Sequence, residues 1–295
     1  MNIKDIHVFT DADLDGAISY ITLNWFIGKE LPVTVTTEKD ILKEINLFFE
    51  SKNVDDYKRV YILDIDICSI AEKVDRKNFS IVDHHMGSIE CAHKFVNART
   101  KILDEGSTCK LLYKVLKEHY KKDLTPEQRA LVAVGHDYDS YNLKNKELSI
   151  GLNTLFWNYQ GNRLQKFVKR FGGGFTGFTP EEERIISYYK KKIDNYVKET
   201  PVYSSEVTLG SNKVRVCSIM ADFCINEIAQ QIIEQTGSEI GIVVNPRTES
   251  VSFRRSKSCN ISVAKIAEKI ANGGGHPAAA GGKITPMFVE FSKLL

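Results

Sequence analysis

Three β-rich runs of this chain end in aspartate, and that recurrence restricts the fold more than any other feature. Ile6-His7-Val8-Phe9-Thr10 leads into Asp11-Ala12-Asp13-Leu14-Asp15-Gly16. Arg59–Leu63 leads into Asp64-Ile65-Asp66, and Phe79–Val82 into Asp83-His84-His85. Another β-rich run, Leu31–Thr37, carries Val-Thr alternation, and helix-like stretches (Gly16–Ile27, Lys39–Phe49) lie between the runs. Alternating β and α segments predict a parallel sheet covered by helices on both faces. In an open sheet of that kind the carboxyl ends of the strands share one crevice. The strand-end acids are therefore expected to converge.

Converging carboxylates cannot all ionise unless something offsets their repulsion. A pair of divalent cations would do so, and two such ions activate water for in-line displacement at phosphorus. Weaker readings of the pieces exist. D-x-D-x-D with Gly16 resembles an EF-hand opening, but the loop's twelfth position is Thr22 instead of Glu. A single strand-end aspartate serves as a turn or helix cap. The joint placement of all three acids favours the metal reading. A fourth acidic element, Gly135-His136-Asp137-Tyr138-Asp139, is expected as a turn after a helix at 126–134. Asp137 is the first choice there for a further ligand and Asp139 the reserve. His136 is open between a structural and a binding role.

At 295 residues the chain has room for about two domains. Thr125-Pro126-Glu127-Gln128 and Thr179-Pro180-Glu181-Glu182 both read as capped helix starts. The second opens a helix with an apolar stripe, Ile185, Ile186, Tyr189, Ile193 and Val197. Gly172-Gly173-Gly174-Phe175-Thr176-Gly177 reads as a flexible joint before it. The expected organisation is an N-terminal domain at 1–175, a connector at 176–199 and a smaller α/β domain at 200–295. The later strands are expected at Lys213–Ile219, Glu239–Val244 and Ser250–Arg254, with a helix at Ser262–Ala271 before the glycine-rich segment 273–282.

The net charge is +2, distributed as −4 over 1–159, +4 over 160–199 and +2 over 200–295. That excludes a bulk polycation binding duplex DNA by charge alone. Six scattered cysteines, none in C-x-x-C spacing, fit reduced thiols in a cytoplasmic protein. Neither an export signal nor a membrane-spanning run is apparent, so no membrane partner is expected.

Asp83-His84-His85 is the motif for which the DHH phosphoesterase family is named, and the chain resembles that family over nearly its whole length. Asp13-Leu14-Asp15-Gly16 is similar to the family's first motif, Asp64 to its second and Asp137 to its fourth. Gly274-Gly275-His276-Pro277-Ala278-Ala279-Ala280-Gly281 is similar to G-G-H-x-x-A-A-G of the DHH-associated domain. Many members, nanoRNases among them, have His four residues before the D-x-D aspartate. Here that position is Phe9, and Asp11 resembles the RecJ exonuclease arrangement. The resemblance implies that Asp11, Asp13, Asp15, Asp64, His84 and Asp137 hold two ions, with Asp64 bridging. It also implies that His85 faces the substrate phosphate, so that Asp64, His84 and His85 carry catalysis. An oxygen-rich donor set with one imidazole suits Mn²⁺, or else Mg²⁺.

Gly274 and Gly275 let backbone N–H groups approach an anion, and His276 adds a donor. A helix start at Ala278–Ala280 would favour phosphate there. Of the adjacent Arg254 and Arg255, Arg254 is the expected phosphate ligand, with the S-x-R spacing from Ser252. Arg255 is expected in solvent. Lys190-Lys191-Lys192 reads as a solvated helix face, or less simply as a guide for a nucleic-acid tail. Phe156, Trp157, Tyr159 and Phe175 read as core packing, or as stacking platforms.

The expected activity is two-metal hydrolysis of short single-stranded oligonucleotides to nucleoside monophosphates, held between the two lobes. The alternative is a small-nucleotide phosphohydrolase acting on cyclic or linear dinucleotides or 3′-phosphoadenosine 5′-phosphate. The oligomeric state is open, with a homodimer as one option.

Overall fold

Alternate residues of the central strands enter two different apolar cores, which requires helices on both sides of the sheet. The computed structural model describes residues 5–209 and 212–294. In chain order the first elements are β1 (Ile6–Asp11), α1 (Leu14–Ile27), β2 (Val33–Thr36), α2 (Ile41–Ser51), β3 (Arg59–Leu63), α3 (Ala71–Val74), β4 (Phe79–Asp83), α4 (Met86–Cys91) and β5 (Arg99–Ile102). Helices α5 (Thr108–Tyr120), α6 (Pro126–Asp139), α7 (Lys146–Asn158), α8 (Arg163–Phe171) and α9 (Pro180–Glu199) follow.

The sheet order is β2-β1-β3-β4-β5, with every pairing parallel. Val8, Leu63 and Val82 enter one core with α1, α5, α6, α7 and α8. Their neighbours Phe9, Ile62 and Ile81 enter the other with α2 and α3. This is the period-two alternation of a strand buried on both faces. The order reverses direction between β1 and β3, and such a reversal opens the crevice where ligands bind in doubly wound sheets.

The chain divides into two compact units, Met1–Ile186 and Ser187–Leu295. The division falls inside α9. Its Ile185 and Ile186 pack on the first unit's core, while Ile193 and Val197 join a core of the second. Thr179 and Glu182 cap this helix reciprocally, and Thr125 and Gln128 do the same for α6. The glycine-rich segment before α9 is tied down in part, at Gly172, Gly174 and Phe175, while Gly173 and Gly177 face open space. Trp25 Nε1 donates to the Gly172 carbonyl at 2.5 Å and Phe175 N to that of Glu127 at 2.8 Å. Phe175 itself is buried.

The second unit holds β6 (Tyr203–Leu209), β7 (Asn212–Met220), α10 (Ile225–Thr236), β8 (Ile240–Asn245), β9 (Ser250–Arg255), α11 (Val263–Ala271), β10 (Gly274–His276), β11 (Ala279–Lys283) and α12 (Pro286–Ser292). Its mixed sheet runs β10-β11-β9-β8-β7-β6, with only β7 and β8 parallel among the described strands. Here the structure corrects the expected helix start at Ala278–Ala280. Residues 274–283 form a β-hairpin, His276 paired with Ala279, and Gly275 has φ +137°. With Gly and Ala at these positions, strands β10 and β11 close tightly on each other, and no helix N-terminus is formed.

Candidate metal centre

The carboxyl ends of β1, β3 and β4 bring their acids together as the sheet topology requires. Asp13 caps α1, its Oδ1 accepting from Gly16 N at 2.9 Å. Asp15, in the first turn of the same helix, is buried; its two oxygens accept from Thr108 N at 2.6 Å and Cys109 N at 3.0 Å. Those donors are the first amides of α5, which have no helical partner and favour an anion. Asp64 follows β3 with φ 63°, an uncommon conformation for a side-chain-bearing residue. Both Asp64 oxygens are buried, and among the described residues neither accepts a hydrogen bond.

His84 links these groups. Its Nε2 lies 3.4 Å from Asp64 Oδ1, 3.2 Å from Asp139 Oδ2 and 3.9 Å from Asp15 Oδ2. Ligand atoms of Asp15, Asp64 and His84 lie within 4.8 Å of one another, and so do those of Asp64, Asp83 and His85. Asp64 belongs to both sets, a placement suited to a bridging carboxylate.

The electrostatics record the crowding. Burial, then the neighbouring Asp13 charge, pushes Asp11 up to about 7. Burial and Asp15 raise Asp13; burial, Asp15 and Asp13 raise Asp64 and Asp139 well above the usual carboxylate range. Burial lowers His84, which keeps its imidazole neutral and able to ligate. The donor set is oxygen-rich with one imidazole, and it includes a buried carboxylate that accepts no hydrogen bond. It fits hard divalent cations such as Mg²⁺ or Mn²⁺.

His85 differs from His84. Its Nδ1 meets Asp83 Oδ1 at 2.7 Å, and its side chain is 39% exposed. Burial opposes charging it, but the Asp83 hydrogen bond and charge win and raise it to about 10. In Asp83 burial likewise works upward and is overcome by the His85 bond, so the carboxylate stays ionised.

The structure brings Asp139, not Asp137, into the cluster. The expected turn is the last turn of α6, which runs to Asp139. Residues two apart on a helix face different ways. Asp137 turns to α7, accepting from Lys144 N (2.8 Å), Asn145 N (3.0 Å) and Ser149 Oγ (2.5 Å). Asp139 turns to His84. His136 sits between Ser107 Oγ at Nδ1 (2.9 Å) and Lys110 Nζ at Nε2 (3.0 Å). Asp83 is expected from sequence to converge with the other strand-end acids but is given no role there, and the structure pairs it with His85. The α5 amides are contributors that the sequence reading missed, and nothing in the sequence marks them.

In the second unit Arg254 Nη2 donates to Asn226 Oδ1 at 2.5 Å, and its Nε is buried without a hydrogen-bond partner among the described residues. Arg255 is not simply solvated, since it donates to the Cys259 carbonyl at 2.6 Å. Gly274, Gly275 and His276 form the edge strand described above. Lys190, Lys191 and Lys192 lie exposed on α9, with Lys192 Nζ 4.1 Å from the Phe223 ring centroid. Phe156 is buried, whereas Trp157 is 48% exposed under the Arg163 guanidinium, 4.3 Å away.

No helix among the described residues is long and apolar enough to cross a membrane. No curated protein matches the chain in sequence. Solved structures share its fold at low identity. A pGpG-specific phosphodiesterase from Vibrio cholerae is 14% identical, with TM-score 0.58, over 98% of this chain and 96% of that one. An exopolyphosphatase-related protein from Bacteroides fragilis is 15% identical, with TM-score 0.58, over 98% and 89%. Exonuclease RecJ bound to manganese is 14% identical, with TM-score 0.57, over 98% and 88%. The model of the DHH family, N-terminal domain, matches residues 5–136, and that of the DHHA1 domain matches residues 215–293. With the five-stranded parallel sheet, the D-H-H motif at the carboxyl end of β4 and both domain matches in order, the chain belongs to the DHH family of metal-dependent phosphoesterases, its DHH domain followed by a DHHA1 domain.

Proposed function

We propose that the protein is a phosphodiesterase that hydrolyses short single-stranded oligonucleotides to nucleoside monophosphates. The observation that carries this reading is the convergence of Asp11, Asp13, Asp15, Asp64, His84 and Asp139 beside a charged, oriented His85. These six side chains would hold two divalent cations, with Asp64 shared; Mn²⁺ is favoured by the imidazole among the oxygens. Such ions, when bound, supply Lewis acidity to the attacking water and offset charge growing at phosphorus.

The chain's own residues supply orientation and a proton. Asp83 Oδ1 accepts from the His85 Nδ1–H and so fixes the ring, whose Nε2–H is the proposed donor to a phosphate oxygen. A cation there binds the scissile phosphate and can pass its proton to the leaving oxygen. In the second unit Arg254, Gly274, Gly275 and His276 are the proposed groups for substrate phosphate. The small-substrate end of the range draws support from the pGpG-specific neighbour, whose chain is covered almost completely. Hydrolysis of a linear dinucleotide or another small nucleotide is therefore the second reading. The six free thiols agree with a cytoplasmic setting.

The test is a substrate panel with Mn²⁺, Mg²⁺ or EDTA. It spans dinucleotides to oligomers of about twenty nucleotides, plus cyclic dinucleotides and 3′-phosphoadenosine 5′-phosphate. Metal-dependent release of mononucleotides from the short oligomers is the expected result. Exclusive turnover of a non-oligomeric nucleotide would move the assignment to the second reading. Activity undiminished by EDTA would end both.

A further inference from the structure

Two thiols stand together on the segments that carry the carboxylate cluster. Cys68 lies on the turn that follows Asp64, and Cys91 ends α4, the helix that starts directly after His85. These segments are bound to each other. Asp66 Oδ1 accepts from Cys68 N at 2.9 Å and from Ser88 Oγ at 3.4 Å, and Ile67 N donates to Ser88 Oγ at 3.3 Å. Gly87 permits the approach: a Cβ there would lie 1.9 Å from Asp66 Oδ2. Gly87, Ser88 and Cys91 share one helix face by their three- and four-residue spacing. Cys91 therefore comes down over the same turn, its Sγ donating to the Ser88 carbonyl at 3.7 Å and near enough to Cys68 for that thiol to help raise its pKa.

The two sulfurs are unequal. Cys68 is half-buried, and Lys94 Nζ donates to its Sγ at 3.9 Å. Cys91 is buried, and burial together with Cys68 pushes its thiol up to about 12, so it keeps its proton. An accessible sulfur beside a cation, backed by a buried partner, is the arrangement of a peroxide-reactive cysteine with its resolving thiol.

We propose that Cys68 and Cys91 form a redox-active dithiol that closes into an intramolecular disulfide and turns down the adjacent carboxylate site. The oxidant is hydrogen peroxide. The Cys68 thiolate attacks one peroxide oxygen, the O–O bond breaks, and Cys68 sulfenic acid and hydroxide result. Cys91 sulfur then displaces the sulfenic oxygen, which leaves as water with the Cys91 proton. Two electrons pass from the sulfurs to the peroxide, and a dithiol reductant returns them. Closure draws the sulfurs to about 2.05 Å. That pulls the turn carrying Asp64 towards the helix that follows His84 and His85. A displacement of about 1 Å in a reacting geometry costs on the order of 100-fold in rate.

The test treats the whole, metal-stripped protein with hydrogen peroxide, removes the oxidant, and follows intact mass, peptide map and Mn²⁺-supported turnover. Expected are loss of two hydrogens per chain, one Cys68–Cys91 linked peptide, and a turnover loss of at least tenfold that a dithiol reverses. Cys91→Ser and Cys68→Ser should keep turnover in the reduced state; Cys68→Ser should resist peroxide inactivation. The activity arm rests on the phosphodiesterase reading, whereas the mass and peptide arms do not, so the two fail separately. A link between other cysteines, oxidation stopping at sulfinic acid, or inactivation of Cys68→Ser equal to wild type would overturn the proposal. An unchanged turnover in the linked protein would overturn its regulatory part.

Discussion

Asp83 holds His85, Oδ1 to Nδ1 at 2.7 Å, with the carboxylate fully buried and the imidazole half-open to solvent. The two side chains act as one proton donor. Asp83 fixes the tautomer and the ring plane, and His85 presents a proton outward. Asp83→Asn should keep the fold and lower turnover by roughly 10–100-fold, the usual cost of losing such an orienting partner. Steady-state kinetics with a dinucleotide and Mn²⁺ measure it. A normal rate in the folded variant would remove Asp83 from the mechanism.

Asp139 and Asp137 make a discriminating pair, because one helix turn points them at different neighbours. Asp139→Asn is expected to cost at least about 100-fold in turnover, as a ligand substitution should. Asp137→Asn should leave turnover within a few-fold. It should instead reduce stability by about 1–2 kcal/mol, since Asp137 satisfies two backbone amides and the Ser149 hydroxyl. Kinetics and urea denaturation of the two variants side by side decide the assignment, and reversed roles would restore Asp137 as the ligand.

Asp64 stores unfavourable electrostatics in the metal-free protein. Its oxygens are buried among other acids and accept no hydrogen bond within the described residues. Asp64→Asn should therefore raise the melting temperature in EDTA while abolishing turnover, a trade of stability against function. Divalent cation should stabilise wild type more than the variant by mass action. A lower melting temperature for Asp64→Asn in EDTA would refute this account.

His7 gives a pH dependence away from the site. It packs against Phe9 and Phe48, its Nε2 3.0 Å from Thr34 Oγ1. Burial, then the Lys52 charge, lowers its pKa from 6.5 to about 4. Between those values the unfolded chain binds a proton that the folded chain refuses. Stability is thus intact above 6.5 and falls as the pH drops towards 4, by about 3 kcal/mol at most. His7→Gln should flatten that part of the acid limb in denaturant titrations run in EDTA. An acid limb as steep as that of wild type would show that His7 does not govern it.

The strand-end acids were legible because a parallel sheet delivers its strand termini to one edge whatever the loops do. Arg59–Leu63 and Phe79–Val82 needed only their β-rich composition to be found. Edge strand β5 was not found, because Arg99-Thr100-Lys101-Ile102 buries only Ile102 and carries no apolar pattern. The choice of Asp137 over Asp139 turned on where α6 stops. A helix end shifted by one turn exchanges which side chain faces the core. The Gly274–Gly282 segment misled for a different reason. Small residues permit both a tight hairpin and a helix start, and pairing with β9 decides between them.

The bond from Asp15 to the amide of Thr108 joins residues 93 apart in sequence, and Asp139 lies further still. A ribosome must therefore release almost half of the chain before any cation has its full set of ligands. Fragments that stop earlier contain Asp11, Asp13 and Asp64 without Asp139. For a growing chain, the ordering of this centre is an event of late, long-range closure, complete only once the chain has been made through Asp139.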